Sequence, residues 1–174
     1  MILHCTQKLA SRIPSAVDLL ETGTEPVGQA GPLTSWHGHL FTLDRRQCVL
    51  FCHDTTRYVL FMPGLRAPQF AELGHWHRDL FLAVLEAQGL AHERIARVGL
   101  TLGPLCMDSQ SDRSVLGSMR VAAQDLKIGG LDRTTNVMEL DPVKTSLWLN
   151  HRPCRVYGRL VWPDDAMREI VEAL

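Results

Sequence analysis

The chain has 174 residues, 45% of them hydrophobic and 21% charged, with a formal net charge of −1 at neutral pH. This is ordinary globular composition, enough for one domain spanning 1–174 with a substantial core. The charge balance supplies no general pull toward nucleic acid or acidic membranes, and no apolar run approaches the length of a bilayer span. The five cysteines (Cys5, Cys48, Cys52, Cys106 and Cys154) are odd in number and include no Cys-x-x-Cys pair. Neither a disulfide framework nor a zinc ribbon is therefore indicated. The N-terminus lacks the apolar run of a signal peptide, so a cytoplasmic location with reduced thiols is expected.

Ile2 to Cys5 reads as a short strand. Thr6 is placed to cap a helical turn that carries Leu9 and Ile13 inward and stops at Pro14. Ser15 with Asp18 opens another turn through Leu20, and the Gly- and Pro-rich segment from Thr22 to Pro32 reads as a loop.

Three strands follow, Trp36–Leu43, Gln47–His53 and Arg57–Met62, each rich in aromatic and large apolar residues. Asp44-Arg45-Arg46 and Asp54-Thr55-Thr56 form the turns between them. With Leu43 paired to Cys48, alternation puts Trp36, Leu40, Thr42, Val49, Phe51, Tyr58, Leu60 and Met62 on one face, taken as the core. The other face carries His37, His39, Phe41, Leu50, Cys52, Asp54, Val59 and Phe61, with His39 opposite Cys52 and His37 opposite Asp54.

Two imidazoles, a thiol and a carboxylate can hold Zn²⁺ or a similar divalent ion. His37, His39, Cys52 and Asp54 are therefore the candidate metal ligands. A Cys activated by a neighbouring His is the alternative chemistry. The plainer reading, which is preferred, is a half-buried sheet face with hydrogen-bonded histidines and an inert thiol.

Gln69 to Gln88 has helical period, with Phe70, Leu73, His77, Leu80, Phe81, Val84 and Leu85 on one stripe. His75-Trp76-His77 is not a chelate there, because helical residues two apart point in nearly opposite directions. His77 belongs to the core, with its polar atoms satisfied, and His75 to solvent. His92–Leu102 is a second helix ended by Gly103-Pro104. Leu105–Met107 reads as a strand.

Arg113–Ile128 is a third helix, turning Val115, Met119, Ala122 and Leu126 inward and Arg113, Arg120, Gln124 and Lys127 outward. Arg113, Ser114 and the free amides of its first turn could receive an anion such as phosphate. A capped helix with a solvated basic ridge is the preferred alternative. Ser146–Asn150 and Cys154–Trp162 alternate like strands, and Pro163 with Asp164 and Asp165 opens a final helix.

The order of strands, helices and strands predicts an α+β fold with a mainly antiparallel sheet. Its central three-stranded meander, at about 35–62, is packed by helices at about 69–88, 92–102, 112–128 and 163–173.

Three segments carry a family resemblance: Met-Ile-Leu-His-Cys-Thr-Gln-Lys-Leu at the start, Trp36-His37 through Asp44-Arg45-Arg46-Gln47-Cys48-Val49-Leu50-Phe51, and Asp112-Arg113-Ser114-Val115-Leu116-Gly117-Ser118-Met119. In these the chain resembles a prokaryotic family of similar length known as a domain of unknown function, over roughly its first three quarters. The family's run is expected to continue into an Asn and an acid, where this chain has Arg120 and Val121. The resemblance implies a shared fold, supplies no activity, and directs attention to Trp36, His37, Arg113 and Ser114 as ligand- or anion-binding candidates.

No P-loop, dinucleotide fingerprint, nucleophile elbow or His-Glu-x-x-His motif is present. The expected function is a binding or interaction module without catalysis, taking a protein or a small anionic ligand. The alternative is a metal-dependent hydrolase acting on an anionic substrate through the His/Cys/Asp cluster, with Arg113 neutralising the anion. A nucleic-acid surface at Arg45, Arg46, Arg113, Arg120 and Lys127 is disfavoured by the near-neutral charge. The sequence specifies no oligomeric state.

Overall fold

A computed structural model describes residues 1–14, 31–130, 136–156 and 158–174. The expected turn from Ser15 to Leu20 and most of the loop from Thr22 to Pro32 lie outside them.

The chain opens with β1 (Ile2–Cys5) and a single helical turn, α1 (Gln7–Ala10). Thr6 precedes that turn, though its hydroxyl makes no cap bond. The meander follows as β2 (Ser35–Leu43), β3 (Arg46–His53) and β4 (Val59–Met62). Helices α2 (Ala67–Ala71), α3 (Leu73–Ala87) and α4 (His92–Thr101) lead to β5 (Cys106–Asp108). Next come α5 (Arg113–Asp125), continued by a π-turn at Leu126–Gly130, and α6 (Pro142–Asn150). A small hairpin of β6 (Cys154–Val156) and β7 (Arg159–Val161) precedes α7 (Pro163–Glu172).

The main sheet runs in the order β4-β3-β2-β1-β5. The meander is antiparallel, but β1 lies parallel to both β2 and β5. The sheet is thus mixed rather than mainly antiparallel. Parallel neighbours need a long crossover, and the chain supplies one between β1 and β2. Gly38 of β2 admits α1 there, since a Cβ at this position would meet Leu9 Cδ2 at 2.6 Å.

The hairpin register also differs from expectation. Leu43 pairs with Arg46, not with Cys48, so His39 faces Leu50, His37 faces Cys52 and Trp36 faces His53. The cause is the tighter turn. Asp44 and Arg45 alone form it, both at positive φ (47° and 59°), as a two-residue primed hairpin turn requires. A shift of two residues preserves the side-chain faces, so the expected partition of the meander holds.

Both faces are buried. Leu3, Trp36, Leu40, Val49, Phe51, Tyr58 and Leu60 form one core with Leu73, Phe81 and Val84 of α3, Ile95 and Val98 of α4, and Met167 and Val171 of α7. On the other face Phe41, Leu50, Cys52, Val59 and Phe61 pack with Val115, Met119, Ala122 and Ala123 of α5. The expected helix 69–88 is interrupted at Glu72, whose backbone (φ −111°, ψ 25°) leaves the helical region.

The expected strand Ser146–Asn150 is instead the end of α6. Asp141 caps that helix by accepting from the amides of Val143 and Lys144, and Pro142 sits in its first turn. The helix lies along the outer edge of β4 and satisfies it with side chains. Asn150 Oδ1 accepts from Val59 N (2.7 Å), its Nδ2 donates to Val59 O (2.9 Å), and Ser146 Oγ accepts from Phe61 N (3.0 Å). The expected strand Cys154–Trp162 folds back on itself as β6–β7, turning at Gly158 with φ 82°.

Candidate functional site

Strand pairing assembles a polar row on the face that α5 covers. His4 of β1 pairs with His37 of β2, Asp108 of β5 pairs with His4, and Cys52 of β3 pairs with His37. Helix α5 packs over β2 and β3. Toward β1 and β5 a cleft of about 250 Å³ remains, lined by His4, His37, Asp54, Gln110, Ser111 and Asp112. His37 is nearly enclosed, with 3% of its side chain exposed, whereas Asp54 keeps 24%.

The hydrogen bonds in this cleft form one chain whose direction is fixed at one end. The Asp112 amide donates to His37 Nε2 at 2.9 Å. That nitrogen is therefore bare, and the ring proton sits on Nδ1, which donates to Asp54 Oδ1 at 2.6 Å. Asp54 Oδ2 accepts from the Ser35 hydroxyl at 2.7 Å. With its only proton committed, Ser35 Oγ accepts from His4 Nε2 at 3.1 Å, and His4 Nδ1 donates to Asp108 Oδ1 at 2.5 Å. His4 thus lies between two carboxylates, with Nε2 3.5 Å from Asp54 Oδ2. Burial pushes the Asp54 carboxyl up, but the hydrogen bonds from His37 and Ser35 and the neighbouring imidazoles outweigh it and hold it below the usual range.

Among the described residues, one ligating atom from each of His4, His37 and Asp54 lies within 4.8 Å of the others. Two imidazoles and a carboxylate suit a borderline divalent ion such as zinc. Asp108 would hold the first imidazole from behind.

The other sequence candidates stand elsewhere. His39 shares the face of His37, but it stacks on Phe41 (6.0 Å, 2° between planes) and is not in this group. Cys52 neighbours His37, yet burial drives its thiol pKa far up and its Sγ contacts His53 O. Trp36 lies on the opposite face, fully buried, with its indole N–H donated to Leu33 O at 2.8 Å. Arg113 is exposed. The Ser114 and Val115 amides are taken by Asp112 Oδ1, and Ser114 Oγ accepts from Arg57 Nη2. His4, Ser35, Asp108 and Arg57 escaped the sequence reading. A parallel neighbour such as His4 leaves no local signal.

Residues 2–166 match the family model of a domain of unknown function, DUF6933. The chain belongs to this family. No curated protein and no solved structure matches it. The family match extends past the first three quarters of the chain and takes in every residue of the cleft. Among the described residues, no helix of this family member is long and apolar enough to cross a membrane.

Proposed function

We propose that this member of the family is a binding domain without catalysis, and that its cleft at His4, His37 and Asp54 takes a divalent cation of the zinc class. The convergence of three ligating atoms at the mouth of an open cleft carries this reading. Loading has a definite proton cost. His4 must give up its Nε2 proton, and His37 must surrender its bond to the Asp112 amide. Binding therefore releases protons and strengthens as pH rises.

Calorimetric titration of the purified protein with zinc tests this directly. One site per chain is expected, abolished in His4→Ala and His37→Ala, with circular dichroism unchanged. Absence of stoichiometric binding in the wild type overturns the reading.

A metal-dependent hydrolase acting on an anionic substrate is the second reading. It is favoured by the open side of the cleft, where three protein ligands would leave a coordination position for water or substrate. Turnover of a phosphate or carboxylate ester by the zinc-loaded protein, lost in Asp54→Asn, distinguishes it from simple binding. The solvated row Arg113, Arg120 and Gln124 on α5, with Lys127 in the π-turn that continues it, is the surface available to a protein partner.

A further inference from the structure

Arg57 is 2% exposed. Its Nη2 donates to Ser114 Oγ at 3.1 Å, while Nε and Nη1 are buried with no hydrogen-bond partner among the described residues. Among the described residues, no carboxylate forms an ion pair with it. A buried guanidinium without a counter-charge is costly, and such groups in folded proteins are paired or neutralised. The backbone also holds this residue at φ 61°, a region side chains other than glycine adopt at a penalty.

Beside Arg57 lies a small cavity of about 50 Å³, bounded also by Ser118, Asp125, Arg152, Pro153 and Cys154. One water needs about 10–15 Å³ by this measure, so the space admits a few waters or one small ion. Arg152 is already paired with Asp125 at 2.7 Å. The wall thus carries two cations against one anion, with the surplus charge on Arg57. Cys154 lines the same cavity as Arg57; burial raises its thiol pKa and the Arg57 charge opposes that rise.

We propose that this cavity is a binding site for a small oxyanion, a phosphate or a carboxylate, which pairs with Arg57 and Arg152. The site lies apart from the metal cleft and does not depend on it. Such an anion supplies the counter-charge that the buried Arg57 lacks. Arg57, rather than the exposed Arg113, is then the anion receptor of this chain.

The test uses the full-length protein and two probes, sodium phosphate and sodium formate, each against sodium chloride at matched ionic strength. A saturable rise in Tm is expected with at least one oxyanion, together with several-fold slower alkylation of Cys154 by iodoacetamide. Both effects should vanish in Arg57→Gln and weaken in Arg152→Gln. A response to phosphate alone, or to formate alone, supports the site and identifies its ligand. If Arg57→Gln does not fold, Arg152→Gln decides: undiminished protection of Cys154 overturns the proposal. Equal responses to chloride and both oxyanions, or an undiminished response in Arg57→Gln, also overturn it.

Discussion

The backbone N–H of Asp112 meets Nε2 of His37 at 2.9 Å, and this bond fixes the tautomer of that ring. A metal on Nε2 would take the lone pair that the amide uses. A metal on Nδ1 would leave the proton on Nε2, facing the amide donor. Either way zinc binding must displace Asp112, which also caps α5 through its carboxylate. The Asp112 amide resonance should therefore shift strongly in a ¹H–¹⁵N spectrum on adding zinc. An unmoved Asp112 in a zinc-saturated sample would exclude His37 from the ligand set.

Asp108 accepts from His4 Nδ1 and orients that ring. Removing such a supporting carboxylate typically weakens metal binding by about 10–100-fold without deleting a ligand. Asp108→Asn should lower zinc affinity by that range in calorimetry while leaving one site per chain.

His77 is not the satisfied core histidine that its helical position predicts: it is fully buried, and among the described residues neither ring nitrogen has a hydrogen-bond partner. It packs edge-on against Trp36 (4.6 Å) and Phe51 (4.9 Å). Leucine would lose no hydrogen bond there, so His77→Leu should stabilise the protein by about 1–2 kcal/mol in urea unfolding. Lower stability in that variant would mean that the ring contacts outweigh the unpaired nitrogens.

The same burial gives a pH dependence. Burial lowers the pKa of His77 from 6.5 to about 3 and that of His53 to about 4. Between those values and 6.5 the unfolded chain binds more protons than the folded one, so stability falls as pH is lowered through this window. The depressed Asp54 carboxyl acts in the same direction at still lower pH. His77→Leu should reduce the slope by up to about 1.4 kcal/mol per pH unit, the full effect being reached around pH 5, where the unfolded imidazole is protonated and the folded one is not. The check is the urea midpoint measured across that window in both proteins.

Asn150 is fully buried and bonds both backbone groups of Val59. Asn150→Ala strands a buried N–H and a buried C=O on the edge strand, with an expected loss of about 2–4 kcal/mol. Ser146→Ala removes one acceptor, from Phe61 N, and should cost about 1–2 kcal/mol. Urea midpoints rank the two variants.

Arg45 is exposed at φ 59° in the β2–β3 turn. Glycine removes the left-handed penalty of about 1–2 kcal/mol, offset in part by unfolded-state entropy. Arg45→Gly should therefore stabilise by about 0.5–1 kcal/mol, read as a higher urea midpoint with an unchanged m-value.

Local pattern determined much of this protein. Alternation alone assigned the meander residues to their two faces, because a two-residue change of register leaves each side chain on its own side. The helical stripes of α3, α5 and α7, with His77 buried among apolar neighbours and Pro163 opening the last helix, follow from period and capping. Alternation misled at Ser146–Asn150, where the signal that mattered was upstream, in the Asp141-Pro142 cap. Only the tertiary structure set β1 between β2 and β5, and with it His4 between His37 and Asp108. Parallel neighbours joined by long crossovers leave no mark in local periodicity, since their pairing is decided by the packing of distant segments. For the same reason the unpaired charge of Arg57, a property of everything around it, was visible only in three dimensions.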